Sequence, residues 1–299
     1  MLAVRIEEGR VEVRRRPRPR AKPGEALIRL LCGGICNTDL ELLRGYYQFR
    51  GTPGHEFVGE VVACDDRSWV GRRVVGEINL ACENCEWCRR GLGRHCPHRT
   101  VLGIVRHPGC FSEFFTLPAR NLHVVPDEVR TEAAVFTEPL AAACEILEQV
   151  SIPAGEEVAV RGPGKLGLLT ARVLEAHGCA ARLFSRHDSV PRAAFRWVVD
   201  ATGSAEGLRQ CVEMTAPRGT VIVKSTVHGA VRLDAAQVVV NEITLVGSRC
   251  GPFPRALELL RTGRVRVDDL ISARYALDSA PRAFRHAARR GALKVLLVC

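Results

Sequence analysis

Short apolar runs separated by glycine and proline dominate the first 130 or so residues of the chain. The clearest of these runs are 26–31, 57–63 and 73–76. Runs of this length with turn-forming residues between them are typical of β-strands. The pattern therefore predicts a first domain that is a β-barrel or a β-sandwich.

The pattern changes after Pro139, where stretches with helical periodicity alternate with buried strands. Strands are predicted at 157–161, 181–185, 197–201, 220–224 and 243–247. Helices are predicted at 140–150, 166–177 and 206–215, and further on at 254–261 and 279–289. This alternation predicts an α/β fold with a parallel sheet. A final strand at 294–298 would return the chain to the first domain.

A glycine-rich loop follows the first of these later strands and opens a helix, which is the context that a dinucleotide-binding Gly-x-Gly-x-x-Gly motif requires. Gly162 would allow the tight turn, Gly164 would let a pyrophosphate approach the backbone, and Gly167 would let the helix pack against the strand. Lys165 and Leu166 lie at the helix N-terminus, whose amides attract anions. We therefore expect a dinucleotide cofactor.

The choice between the two nicotinamide dinucleotides should be made at the end of the second strand. An acidic residue there would bind the ribose 2′-hydroxyl, whereas an arginine favours a 2′-phosphate. Ser185, Arg186 and His187 come first, and Asp188 follows only after them. This order favours NADP(H) over NAD(H).

Four cysteines give the spacing Cys-x2-Cys-x2-Cys-x7-Cys. They are Cys82, Cys85, Cys88 and Cys96. A cluster this dense can bind one tetrahedral Zn²⁺ without help from the rest of the protein. Metal binding also suits thiols in a compartment where disulfides do not persist.

A second candidate metal site combines the segment 34–39 with the segment 54–56. A catalytic zinc needs three protein ligands of mixed type and one position open to water or substrate. Cys36 and His55 offer sulfur and nitrogen, and either Glu138 or Glu56 offers the carboxylate.

Composition excludes several classes of protein. The net charge of +10 comes mainly from 39 arginines spread along the chain, which argues against a nucleic-acid-binding stripe. No apolar run is long enough to cross a bilayer, and no secretory segment follows Met1, so we expect no membrane partner and a cytoplasmic location. Without a secretion signal, the thirteen cysteines are better explained as free thiols and metal ligands than as disulfides.

These motifs together give the chain a family resemblance. It resembles the zinc-dependent medium-chain dehydrogenase/reductase family, which includes alcohol, polyol and threonine dehydrogenases. The matching stretches follow the family's order from about residue 25 onward. They are 34–39, 53–60, 82–96, 138–141, the glycine loop, 199–203 and 242–247.

The resemblance implies a GroES-like catalytic domain at 1–140, with a structural zinc lobe at about 80–100. A Rossmann-type nucleotide-binding domain would follow at 141–252, and 253–299 would return to the catalytic domain. It implies a homo-oligomer, a dimer or a tetramer, acting on a small alcohol or carbonyl substrate.

The resemblance also implies roles for individual residues. Cys36 and His55 would be ligands of a catalytic zinc, with Glu138 or Glu56 as the third ligand. The four-cysteine lobe would hold a second, structural zinc, giving two per chain. Thr38 would lie beside the reacting oxygen, where its hydroxyl can pass on a proton. The expected reaction is hydride transfer between an alcohol or carbonyl substrate and the nicotinamide.

One departure from the family concerns the segment between the second and third strands of the later domain. Only about ten residues separate them, too few for a strand–helix–strand crossover. Ten extended residues reach about 33 Å, enough to return along one strand length of roughly 20 Å. We therefore predict about five parallel strands, with the missing strand lost from the edge beyond the second strand.

Three alternatives stay open at this point. The first is an NAD-dependent polyol or threonine-type dehydrogenase, which the Glu138-Pro139 pair favours. The second is a non-catalytic, zinc-stabilised binding protein with a degenerate nucleotide domain. The third is a zinc-ribbon protein that binds nucleic acid. Tyr46, Tyr47 and Phe49 are candidates for lining a substrate pocket only because they lie close in sequence to Cys36 and His55.

Overall fold

The computed structural model describes residues 1–227 and 230–299. The chain forms two compact units, the first made of residues 1–138 and 256–299 and the second of residues 139–255. Each unit is described by itself.

The first unit contributes strands at both ends of the chain. Its strands are β1 (Leu2–Glu7), β2 (Arg10–Arg15), β3 (Glu25–Ile35), β4 (Glu56–Cys64), β5 (Arg73–Gly76), β6 (Asn79–Leu80), β7 (Thr100–Leu102), β8 (Arg106–His107), β9 (Phe114–Pro118), β10 (Leu122–Val124), β16 (Ile271–Ala276) and β17 (Lys294–Val298). Its helices are α1 (Asn37–Leu43), α2 (Glu86–Arg89), α3 (Thr131–Ala134), α8 (Phe253–Arg261, which begins in the second unit) and α9 (Ala280–Ala287).

The second unit alternates strands and helices. Its strands are β11 (Glu157–Arg161), β12 (Ala180–Phe184), β13 (Phe195–Asp200), β14 (Thr215–Val223) and β15 (Thr244–Gly247). Its helices are α4 (Thr137–Gln149, which begins in the first unit), α5 (Lys165–His177), α6 (Ala205–Met214) and α7 (Ala235–Val240).

The main sheet of the first unit has the strand order β10-β5-β4-β3-β17-β16, with β9 also pairing with β3. β3 is central because it hydrogen-bonds to three strands, and its apolar side chains Ala26, Ile28 and Leu30 are buried. In the antiparallel pairing of β3 with β4, Gly34 lies opposite Glu56. β17 pairs antiparallel with the other side of β3, where Leu296 lies opposite Gly34.

The sheet of the second unit is parallel and has the order β12-β11-β13-β14-β15. The prediction of five parallel strands is confirmed, and β12 is the edge strand. Residues 185–194, which join β12 to β13, contain neither helix nor strand. Side chains of successive strand residues point to opposite faces. Accordingly Val158 and Val160 pack in one buried apolar cluster, and Ala159 packs in another.

The bounds of most predicted elements differ from the structure by one or two residues, but β14 begins at Thr215 rather than at residue 220. The sequence Pro217-Arg218-Gly219 is typical of a turn. Here the strand continues through it with a change of register, and Arg218 takes a φ of 60°. The local turn signal was overridden by pairing with β13.

Gly164, at the N-cap of α5, and Gly167, in the first turn of that helix, offer a test of how closely α5 packs against the loop that follows β11. A Cβ at Gly167 would lie 2.0 Å from the carbonyl oxygen of Gly162, whereas a Cβ at Gly164 would meet nothing within 4 Å. We expect Gly167→Ala to destabilise the protein by about 1–3 kcal/mol, the usual range for overpacking. Gly164→Ala should leave the thermal midpoint unchanged. Equal midpoints for the two variants in thermal unfolding would contradict this packing.

Candidate metal centres and dinucleotide loop

The four clustered cysteines lie in a small lobe around α2. Cys85 is the N-cap residue of that helix, and Cys96 follows the short 3-10 helix Gly93–His95. The Sγ atoms of Cys85 and Cys88 are 3.4 Å apart, those of Cys85 and Cys96 3.7 Å, and those of Cys82 and Cys88 4.0 Å. A tetrahedral zinc with Zn–S bonds of about 2.3 Å places its sulfurs about 3.8 Å apart. The four thiols therefore fit one tetrahedral ion.

The four thiols are available as ligands, but their pKa values shift in opposite directions: burial and the neighbouring thiols raise the pKa of Cys88 to about 12, whereas the pKa of Cys96 is lowered. All thirteen cysteines of the chain are free, so none of the four is used in a disulfide. Desolvation acts to raise the pKa of Cys96, but hydrogen bonds from the backbone and side chain of Cys82 prevail and lower it to about 6. A thiolate, not a thiol, is the form that ligates a metal.

The structure brings Cys36, His55 and Glu56 together, with their ligand atoms all within 4.8 Å of one another. Cys36 is the N-cap residue of α1, and Glu56 opens β4 immediately after His55. Gly34 on the paired strand β3 makes room for the carboxylate, since a Cβ there would lie 2.6 Å from Glu56 Oε2. A sulfur, a nitrogen and a carboxylate oxygen thus converge on one point.

Asp39 connects the two segments that carry these three side chains. It is fully buried; its Oδ2 accepts the N–H of Cys36 at 2.8 Å and its Oδ1 accepts the N–H of Gly54 at 3.1 Å. Oδ1 also lies 3.5 Å from His55 Nδ1. Burial acts to lower the pKa of His55, but Asp39 and Cys36 prevail and hold that pKa well above its ordinary value. A carboxylate behind a histidine in this way orients the ring toward a metal.

Besides Asp39, Lys294 also contacts the cluster of candidate ligands, because it forms a buried ion pair with Glu56. Burial acts to lower the pKa of Lys294, but the charge of Glu56 and the hydrogen bond to it prevail and raise it. The amine therefore stays protonated. The other carboxylate oxygen, Glu56 Oε1, is buried and has no hydrogen-bond partner among the described residues. Such an atom is costly unless a cation or donor satisfies it, so the donor set fits a metal ion.

The two remaining predicted catalytic residues are Thr38 and Glu138. Thr38, in the first turn of α1, has its Oγ1 3.8 Å from Cys36 Sγ. Glu138, in the first turn of α4, is outside the cluster formed by Cys36, His55 and Glu56. Its charge nevertheless contributes to the raised pKa of Lys294.

The glycine loop of the second unit has the geometry expected of a dinucleotide loop. Gly162 takes a φ of +97°, a conformation that favours glycine, and its N–H donates to Phe184 O at 2.9 Å. Gly164 is the N-cap residue of α5, which begins at Lys165 and continues through Leu166 and Gly167. The first N–H groups of a helix lack acceptors within the helix, so they are available to a phosphate.

The end of β12 is organised by backbone contacts. Asp188 accepts the N–H of Ser185 at 2.5 Å, which uses its carboxylate within the chain and lowers its pKa. The N–H of His187 donates to Ser185 Oγ at 3.2 Å. The exposed Arg186 donates from Nε to His187 Nε2 at 3.2 Å.

Arg161, at the end of β11, is a buried residue that contacts the end of β12. It donates from Nη1 to Ser185 O at 2.6 Å and directs its other donors to Gln210 Oε1. Sequence reasoning treated Arg161 as an ordinary strand residue. A charged residue at the end of an otherwise apolar strand was the available signal.

Comparisons with known proteins bear on these clusters. The alcohol dehydrogenase GroES-like domain family matches residues 22–127. The chain is 31% identical to D-altritol 5-dehydrogenase of Agrobacterium fabrum over 308 aligned positions, which cover 91% of each chain. The chain belongs to the zinc-dependent medium-chain dehydrogenase/reductase family. The predicted family, fold class and oxidoreductase function are thereby confirmed.

Solved structures agree with the family and the fold. A candidate zinc-binding dehydrogenase from Sinorhizobium meliloti 1021, bound to NADP, superposes with a TM-score of 0.90 at 27% identity. An alcohol dehydrogenase from Thermus sp. ATN1 does so with a TM-score of 0.90 at 28% identity. Each match covers 100% of this chain and 99% of the other. Within the described ranges, no helix of this family member is long and apolar enough to span a membrane.

The buried pair of Lys294 and Glu56 gives a stability test. Lys294→Met removes the ammonium group and leaves Glu56 buried without its partner, which typically costs about 3–5 kcal/mol. We expect the urea midpoint of the metal-free protein to fall accordingly. The matched control is Arg29→Met, which breaks the exposed pair that Arg29 of β3 forms with Glu60 of β4 and should change the midpoint little. Equal shifts of the urea midpoint in the two variants would contradict the expectation that the buried pair contributes more to stability than the exposed pair.

Proposed function

We propose that the chain is a zinc-dependent dehydrogenase that transfers a hydride between a small alcohol or carbonyl compound and a nicotinamide cofactor. The observation that carries this proposal is the convergence of Cys36, His55 and Glu56 around a buried Asp39. Its relative from Agrobacterium fabrum acts on D-altritol, which supports a polyol as the substrate class.

In this proposal, a bound zinc ion would supply Lewis-acid polarisation of the substrate oxygen, and a bound nicotinamide would supply the acceptor or donor of the hydride. Cys36 and His55 would hold the ion, and Asp39 positions both residues by accepting the Cys36 N–H and facing His55 Nδ1. Oxidation of an alcohol also releases the hydroxyl proton. Thr38 Oγ1, which lies beside Cys36 Sγ, is the group we assign to accept and pass on that proton.

We assign the third ligand to Glu56, because its carboxylate belongs to the cluster and has one oxygen without a partner. Lys294 neutralises the other oxygen, so the pair adds little net charge to the buried site. Glu138 is the alternative third ligand, and its nearby charge supports keeping it in consideration.

Two zinc ions per chain are part of the proposal, one at Cys36 and one in the four-cysteine lobe. We expect Cys36→Ser to lose one ion and to lower kcat at least about a thousandfold, since Lewis-acid stabilisation contributes several kcal/mol. The control is Cys64→Ser, a partly buried thiol outside both clusters, which should keep two ions and full turnover. Elemental analysis and absorbance of the reduced nicotinamide measure both quantities. Full turnover of Cys36→Ser would refute the proposed mechanism.

NADP(H) is the proposed cofactor. Arg186 is exposed at the end of β12, and Asp188 uses its carboxylate on the Ser185 N–H instead of offering it to a ribose hydroxyl. The NADP in the Sinorhizobium meliloti structure also supports this choice.

The test replaces Arg186 with alanine. We expect the dissociation constant for NADPH to rise about tenfold or more and that for NADH to stay constant, because only the first carries a 2′-phosphate for the guanidinium. Arg192→Ala, an exposed arginine in the segment that joins β12 to β13, is the charge-matched control. Fluorescence titration of both reduced cofactors gives the constants. Tighter binding of NADH by the wild-type protein would instead favour the NAD-dependent alternative.

A homo-oligomer, expected from the family resemblance, also belongs to the proposal. Within the second unit, Val239 and Val240 on α7 and Leu245 on the edge strand β15 are exposed apolar side chains. Exposed apolar groups that lie close together are typical of interfaces. They support association of copies of this chain. The cytoplasmic location stays a prediction.

A further inference from the structure

A cavity of about 470 Å³ opens in the first unit, and neither candidate metal cluster contributes a residue to its lining. Its walls are residues 47–52, which follow α1, residues 104–108 around β8, and Arg5 of β1. A volume of this size lies within the range of small-molecule sites. Tyr47 and Phe49, two of the three aromatic candidates from the sequence, line it; Tyr46 does not.

The charges around this cavity are all positive. The charged residues of its lining are Arg5, Arg50 and Arg106, and none of the described residues that line it is acidic. Arg5 is paired with Glu7 at 2.7 Å. Arg106 donates only to the carbonyl oxygen of Arg99, at 3.2 Å, and Arg50 has no hydrogen bond or ion pair within the described part of the chain.

The backbone around the cavity is strained. Tyr47, Gln48 and Arg106 have φ values of 57°, 48° and 51°, in the left-handed region that non-glycine residues rarely adopt. Each such residue costs of order 1 kcal/mol or more, and strain of this kind clusters at ligand sites. Three residues that line one cavity have this strained backbone, and two of them are adjacent. Because such strain persists only where surrounding contacts maintain it, we infer that the surrounding fold fixes the shape of the cavity.

The cavity wall leads directly into the metal-ligand segment. Thr52 lines the cavity, and three residues span at most about 11 Å, so His55 lies within that distance along the chain. The opposite wall is joined to the same segment, because the N–H of Gly109 donates to Thr52 O at 2.8 Å and the N–H of Phe111 donates to Pro53 O at 3.1 Å.

We propose that this cavity binds an anionic substituent, a phosphate or a carboxylate, carried by the alcohol substrate. This inference rests on the proposed function and names its substrate class, a phosphorylated polyol or a sugar acid. Arg50 and Arg106 donate to the anion, since planar guanidinium groups match both oxyanions. Tyr47 and Phe49 pack against the carbon skeleton. The anion also relieves the mutual repulsion of the arginines.

The experiment compares three compounds with one carbon skeleton, D-arabitol, D-arabitol 5-phosphate and D-arabinonate, on the zinc-loaded enzyme. We expect kcat/KM for at least one of the two anions to exceed that for D-arabitol tenfold or more. Calorimetry should give dissociation constants for that anion that rise about tenfold in Arg50→Gln and in Arg106→Gln, the usual effect of losing one charged hydrogen bond. The control is Arg67→Gln, an exposed arginine of the same unit without a side-chain partner among the described residues.

The outcomes separate this inference from the proposed function. A preference for the phosphate or for the carboxylate identifies which anion the site takes. Turnover of D-arabitol with no gain for either anion overturns the inference and leaves the proposed function intact. Binding that depends on Arg50 and Arg106, without oxidation of any of the three compounds, supports the anion site and counts against the proposed function. Failure to bind either anion, or equal binding by the wild type and both variants, overturns the inference of an anion site.

Discussion

The candidate catalytic centre depends on one buried carboxylate. Asp39 accepts hydrogen bonds from the N–H groups of Cys36 and Gly54, so it fixes the start of α1 against the entry to β4. The same oxygen that binds Gly54 faces His55. A buried carboxylate is costly unless its oxygens are satisfied, and here the partners that satisfy it are the segments that carry the candidate metal ligands. The hydrogen bonds that hold these two segments together in the unit therefore also hold the candidate site in position.

The candidate site also depends on the balance between its buried charges. Glu56 brings negative charge into an interior that tolerates little of it, and Lys294 compensates from β17. The close approach of Gly34 to the Glu56 carboxylate leaves no room for a larger residue at that position. Sterics and electrostatics thus restrict the same few atoms, which explains how so small a cluster is held without disulfides.

The sequence was most informative where the chemistry is local. The cysteine lobe and the glycine loop lie within short segments, and the prediction of about five parallel strands followed from the roughly ten residues between Arg186 and Trp197. Partners contributed by distant parts of the chain could not be found in this way. Lys294 and Arg161 gain their roles only from tertiary contacts, and the strained backbone at Arg106 follows from packing that no local pattern encodes.

The pairing of Lys294 with Glu56 joins positions 238 residues apart, with the whole second unit between them in the chain. During synthesis, the carboxylate of Glu56 is made long before its counter-ion leaves the ribosome. Contacts so distant in sequence form late and slowly, because a long loop must close first. Maturation of the centre is thus tied to the synthesis of β17, and until that strand is made the nascent chain carries Glu56 without this counter-ion.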